Sequence, residues 1–184
     1  MTALTDSLAE GAVQTVLEAG ELLTDPAAVQ SIRSKGETDY VTNVDVAVQA
    51  FLRKRLAALA PDVQFMGEEQ DNTGLDWSRP CWILDPVDGT TNLIHSFRHS
   101  AISLALAEGG QAVFGVVYNP YTEECFTARR GGGAFRNGVS IQVSAVSRLA
   151  DSLLSTGTVP GRRELADEAF RQMRALYDRC QDVR

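Results

Sequence analysis

Basic residues are the minority charge in this 184-residue chain: 17 lysines and arginines stand against 24 aspartates and glutamates, a formal charge of −7 with both histidines neutral. That balance argues against binding nucleic acid or an anionic membrane through a basic surface. Cysteine is scarce as well. Cys81, Cys125 and Cys180 are widely spaced, form no C-x-x-C pair and have no histidine nearby, so neither a disulfide framework nor a zinc site is indicated. No run of about eighteen apolar residues occurs, and the N-terminus MTALTDSLAEGAVQTVLEAGELLTD carries acids without a basic leader segment. A cytoplasmic protein without a membrane partner is expected. What is present is ordinary globular material, 44% hydrophobic and 22% charged, and a chain of this length buries roughly 70% of its unfolded surface without a covalent staple.

Apolar residues from Leu4 to Leu22 recur at steps of three and four, which predicts an amphipathic first helix. A second helix is expected from Thr42, where Thr42-x-x-Asp45 fits a capping box, with Val48, Phe51, Leu52, Leu56 and Leu59 as its buried stripe and Pro61 as its stop. Short apolar runs then follow at 63–66, 81–84, 101–107, 112–118, 125–128 and 139–143, and these are expected strands. Their connections, including Glu108-Gly109-Gly110-Gln111, the glycine run 131–133 and Asn137-Gly138, are hairpin turns, so most of the sheet should be antiparallel. Two helices on such a sheet give an α+β layer. Near Ser152 a new unit begins, with a strand at 153–155 and a helix over 163–179. The expected division is 1–151 for an N-terminal domain and 152–184 for the beginning of a C-terminal α/β domain.

Chemistry concentrates in Cys81-Trp82-Ile83-Leu84-Asp85-Pro86-Val87-Asp88-Gly89-Thr90-Thr91-Asn92. An apolar strand runs into two carboxylates three residues apart, and the proline between them biases Asp85 to an extended backbone. Hard divalent cations take such oxygen ligands, and magnesium combines a few carboxylates with waters and substrate phosphate. The Gly89-Thr90-Thr91-Asn92 stretch can open a helix whose free N–H groups receive a phosphate. Met66-Gly67-Glu68-Glu69 repeats the pattern of acids after an apolar run, and Asp45 on the first turn of the second helix is a fifth candidate. Taken singly these are a type I turn, a helix start and a capping acid; at matching strand ends they make a site. Gly131-Gly132-Gly133 lacks the Lys-Ser/Thr of a phosphate-binding loop. His95 and His99 have no diagnostic spacing from the acids. A dehalogenase-type aspartyl nucleophile needs its two aspartates separated by a single residue, whereas two residues separate Asp85 and Asp88. The alternating acids of a calcium-binding EF-hand are absent.

With these motifs the chain resembles the inositol monophosphatase family of magnesium-dependent, lithium-sensitive phosphatases. Lys35, Asp39-Tyr40-Val41-Thr42-Asn43-Val44-Asp45, Gly67-Glu68-Glu69, the Trp82–Asn92 string, Gly115-Val116-Val117-Tyr118 and Gly131-x-Gly133-Ala134-Phe135-x-Asn137-Gly138 carry the resemblance. It implies a layered α/β/α/β sugar-phosphatase-like fold with only the start of the second α/β domain present. It implies two or three Mg2+ ions: the first held by Glu68, Asp85 and the Val87 carbonyl, the second shared by Asp85 and Asp88, and a weaker third near Glu68. Glu68 and Thr90 would position and deprotonate the attacking water, Asp45 would support Thr90, and Asp88, Gly89, Thr90 and Thr91 would hold the substrate. Lys35 and Glu69 would stand behind the ligands or in the pocket. The implied reaction is hydrolysis of a small phosphate ester, inositol monophosphate first, with histidinol phosphate, phosphoadenosine phosphate and fructose bisphosphate as alternatives, and a homodimer is among the expected assemblies. The further aspartate that family members carry in a Trp-Asp motif has no counterpart here, so a truncated form and an inactive metal-binding fragment are also expectations.

Overall fold

The computed structural model describes residues 4–25, 31–34, 40–158 and 161–184. The chain divides into two compact units, Met1–Arg33 with Tyr40–Ile141, and Ser34–Asp39 with Gln142–Arg184. The division thus falls after Ile141, ahead of the 151/152 boundary expected from the sequence. Lys35 lies outside the described residues.

In the first unit, helix α1 (Asp6–Ala19) begins at Thr5, whose hydroxyl accepts the Leu8 N–H at 3.1 Å. The single helix expected to Leu22 is divided at Gly20 from one further turn, α2 (Glu21–Thr24). Strands β1 (Ile32–Ser34) and β2 (Tyr40–Thr42) form a two-stranded sheet. Helix α3 (Asn43–Leu59) starts at the expected capping box, with Thr42 and Asp45 bonding reciprocally. Its buried stripe shifts toward the N-terminus: Val44, Asp45, Val48, Gln49, Leu52 and Leu56 are buried, whereas Leu59 is exposed.

A seven-stranded sheet follows in sequence order: β3 (Gln64–Gly67), β4 (Cys81–Asp88), β5 (Ala101–Glu108), β6 (Gln111–Asn119), β7 (Glu124–Arg129), β8 (Gly133–Arg136) and β9 (Val139–Ile141). Strand β8, not expected from the sequence, lies between the two glycine turn signals; β7 and β8 pair from Phe126↔Arg136 to Arg129↔Gly133. Only the β3–β4 pair is parallel, and the others are antiparallel. Between β4 and β5 lies the short helix α4 (Thr90–Ile94).

Strand alternation gives the sheet one strongly apolar face. Trp82 and Leu84 of β4, Ile102, Leu104 and Leu106 of β5, and Phe114 and Val116 of β6 join Leu8, Ala12 and Val16 of α1 and Val48, Leu52 and Leu56 of α3 in one core. Trp82 and Phe114 meet edge to face, with ring centroids 6.5 Å apart. The helices therefore cover one face of an antiparallel-dominated sheet, the α+β layer expected from the sequence.

The second unit contains β10 (Leu153–Leu154), a 3-10 turn at Arg163–Leu165, α5 (Ala166–Tyr177) and β11 (Asp182–Val183). Strand β11, not expected from the sequence, pairs parallel with β10 through Leu153↔Asp182 and Leu154↔Val183. A parallel pair bridged by a helix is a βαβ connection. The expected helix over 163–179 is shorter, and no residue of α5 is buried.

Candidate functional site

The acids gather because β3 and β4 run side by side in parallel. Gly67, the last residue of β3, is opposite Leu84. Glu68 therefore leaves β3 at the same sheet end at which β4 reaches Asp85.

Asp85 and Asp88 would point to opposite faces of a regular strand, since they are three positions apart. The ladder instead shifts between them: Asp85 pairs with Ser103 and Asp88 with Ala101, so three residues of β4 span two of β5. This bulge returns both aspartates to one face. Pro86 lies within the irregularity, where its missing N–H removes nothing from the ladder. Asp85 Oδ1 accepts the Val87 N–H at 3.1 Å, which fixes the turn. Asp88 is exposed, Asp85 half-buried, and Pro86 and Val87 are buried.

Burial, then the negative charges of Glu68 and Asp88, push the Asp85 carboxyl up to about 7, against a smaller opposing effect of the Val87 N–H. Glu68 and Asp88 are thus near enough to act on Asp85. Among the described residues, no three His, Cys, Asp or Glu side chains are gathered closely enough to hold an ion. The donor chemistry nevertheless suits a hard divalent cation that completes its shell with water: carboxylate oxygens, the Val87 carbonyl, and an Asp85 whose surroundings oppose its charge.

Asp45, only 1% exposed, joins helix α3 to this end of β4. Its Oδ2 accepts the Thr42 N–H at 2.8 Å and the Thr42 hydroxyl at 2.6 Å. Its Oδ1 lies 3.0 Å from Thr90 Oγ1, which also stands 3.1 Å from the Val87 carbonyl. The threonine has one proton, and the charged carboxylate is the stronger acceptor. Gly89, the residue before α4, has φ +94°, and a Cβ there would come within 3.0 Å of the His99 carbonyl. A glycine is required at that position. The buried Ser100 hydroxyl donates to the Gly89 carbonyl at 2.9 Å, and the Asn92 amide donates to the His99 carbonyl at 2.8 Å, holding the stretch that precedes Thr90 and Thr91.

Several residues here had not been singled out from the sequence. The buried Gln49 Oε1 accepts the Glu69 N–H at 2.9 Å, and Asn72 both accepts the Gly67 N–H at 3.3 Å and donates to the Gly67 carbonyl at 2.7 Å. Gln49 lies one helical turn beyond Asp45, so a second polar residue in an otherwise apolar stripe was the available signal. His95 and His99 are both exposed. A separate cavity of about 660 Å3, lined by Val13, Leu17, Phe114, Cys125 and Phe135 among others, contains none of the candidate acids.

The inositol monophosphatase family profile matches residues 4–184. The chain is 43% identical over 150 residues to the inositol-1-monophosphatase of Rhizobium meliloti, covering 79% of this chain and 56% of that protein. It is 39% identical over 155 residues to the inositol monophosphatase of Dictyostelium discoideum, covering 82% and 57%. Among solved structures, the extragenic suppressor protein suhB of Bartonella henselae superposes with a TM-score of 0.89 at 32% identity, covering 97% of this chain and 69% of the other. An IMPase of Thermotoga maritima gives 0.85 at 30%, covering 98% and 68%. The chain spans little more than half the length of these two sequence relatives. With a profile match across nearly all of its residues, the chain belongs to the inositol monophosphatase family.

Proposed function

We propose that this chain carries the metal and phosphate site of a magnesium-dependent phosphomonoesterase, with inositol monophosphate as its first substrate. The bulge that turns Asp85 and Asp88 to one face, at the sheet end where Glu68 leaves β3, carries this reading. The names of the relatives support the substrate class.

Glu68, Asp85 and the Val87 carbonyl are the ligands proposed for one ion, Asp85 and Asp88 for a second, and Glu68 for a weaker third. Magnesium, when bound, supplies the Lewis acidity that lowers the pKa of water and offsets charge on phosphoryl oxygens. Thr90, with its proton committed to Asp45, offers its oxygen lone pairs to orient a water, and Glu68 is the proposed acceptor of that water's proton. The water oxygen forms the new bond to phosphorus in line as the ester P–O bond breaks, and the leaving alcohol takes a proton from solvent. The amides of Gly89, Thr90 and Thr91, together with Asp88, hold the ester; Glu69 stands behind Glu68. Lys35 remains a proposed pocket residue from the motif alone.

The three unlinked cysteines, two of them buried, support a reducing, cytoplasmic setting, and no helix among the described residues is long and apolar enough to cross a membrane. A homodimer is the proposed assembly, on family resemblance alone. A second reading is a metal-binding form without turnover, since the chain spans 56% and 57% of the length of the two sequence relatives.

Phosphate release from inositol monophosphate, histidinol phosphate, phosphoadenosine phosphate and fructose bisphosphate, with and without magnesium and lithium, tests the proposal. Magnesium-dependent, lithium-inhibited hydrolysis led by inositol monophosphate is expected. Hydrolysis led by another ester changes the substrate; magnesium binding without hydrolysis selects the second reading.

A further inference from the structure

We infer that Gln49 is a positioning residue for Glu68, so that one face of helix α3 sets both the hydroxyl and the carboxylate halves of the site; this rests on the magnesium reading above. Glu68 is exposed, on a turn that leaves the sheet. The backbone around it is gripped on both sides. On the preceding residue, the Asn72 side chain bonds both the N–H and the carbonyl of Gly67, as a neighbouring strand would. On the following residue, the Glu69 N–H donates to Gln49 Oε1 at 2.9 Å. A backbone N–H demands an acceptor, so the geometry itself fixes the orientation of the Gln49 amide.

The bond is built into the interior. Gln49 is 7% exposed, and Gly67 presses so closely on it that a Cβ at position 67 would fall 2.3 Å from Gln49 Oε1 and 2.6 Å from its Cδ. Asp45 and Gln49 are four residues apart on α3, which places them on one helical face. The first reaches Thr90 on the β4 side and the second reaches the Glu68 turn on the β3 side. A single rigid helix thus fixes the separation of two groups that come from different loops. Removal of a bond that orients a metal ligand typically weakens metal binding by about 10- to 100-fold.

Gln49→Met keeps length and packing but loses the acceptor, Gln49→Glu keeps an acceptor, and Gly67→Ala displaces the amide from the opposite side. Magnesium titration calorimetry on the full chain is expected to show Kd raised by about ten-fold or more in Gln49→Met and Gly67→Ala. Binding should be restored toward the parent value in Gln49→Glu. The combined Gln49→Met/Gly67→Ala variant should add little to either alone, because both remove the same bond. Amide exchange provides the readout independent of metal: the Glu69 N–H should exchange about ten-fold faster in Gln49→Met while amides of the β5–β6 pair keep their protection. Unchanged Glu69 exchange, or a parental magnesium Kd in Gln49→Met, overturns the role of Gln49. If the parent itself binds no magnesium, the magnesium reading fails and the proposed role falls with it, while the exchange result still decides whether the Gln49 anchor exists.

Discussion

Thr90 Oγ1 lies 3.0 Å from Asp45 Oδ1, joining the first turn of α3 to the first residue of α4 across 45 positions of sequence. The same carboxylate caps α3 through Thr42. One buried side chain therefore serves a helix terminus and a hydroxyl at the candidate site. These two duties can be separated by experiment.

Asp45→Asn should separate them. The Thr42 N–H is a donor and requires oxygen at the Oδ2 position, so the introduced NH2 group must face Thr90. Thr90 would then accept from that amide and turn its proton to the Val87 carbonyl, already 3.1 Å away. Denaturant unfolding is expected to show a loss of only about 1 kcal/mol, within the range of a weakened cap. Phosphate release should fall by about 10²-fold or more, the scale of a lost proton-transfer group. Asp45→Ala, which removes both acceptors, should cost about 2 kcal/mol or more in stability.

Magnesium should stabilise the folded chain through Asp85. At one hundred times Kd a bound ion contributes about 2.7 kcal/mol, which for a chain of this size raises Tm by about 5–10 °C. Asp85→Asn should abolish that rise. The metal-free variant should be at least as stable as the metal-free parent at pH 8, because burial and the charges of Glu68 and Asp88 oppose an ionised Asp85. Differential scanning fluorimetry with magnesium and with a chelator reads both effects. A parental magnesium shift in Asp85→Asn would contradict the ligand assignment.

Gly89→Ala places a Cβ at φ +94° and within 3.0 Å of a backbone oxygen. A cost of about 1–3 kcal/mol is expected for holding a non-glycine residue in a sparsely populated conformation. The strain bears directly on Thr90, so hydrolysis should fall further than the stability loss explains. Unfolding and turnover measured on the same preparation decide this.

The capping box at Thr42 and Asp45, the antiparallel hairpins and the acids at strand ends were legible in the sequence because each depends on local chemistry: a short-range side-chain bond, a turn residue, an alternating apolar run. The parallel pairing of β3 with β4 was only a condition of the reading, since strand neighbours are chosen by contacts distant in sequence. The bulge at Asp85–Asp88 was equally hidden. Spacing alone puts the two carboxylates three positions apart, but the register against Ser103 and Ala101 decides that they share a face. Strand β8 was missed because Gly131-Gly132-Gly133 and Asn137-Gly138 crowd four strand residues between two turn signals. Gln49 and Asn72 escaped notice because their role is to bond backbone, which leaves no motif. The βαβ connection in the second unit was half visible, as its closing strand has only two residues.

The most direct test of the central claim is phosphate release from inositol monophosphate by this chain and by its Glu68→Gln variant, each with magnesium or with chelator. The account predicts magnesium-dependent release in the parent and a loss of about 10²-fold or more in Glu68→Gln, which keeps the side chain's size and removes its charge. Release that persists in chelator, or that is equal in the two proteins, would contradict it.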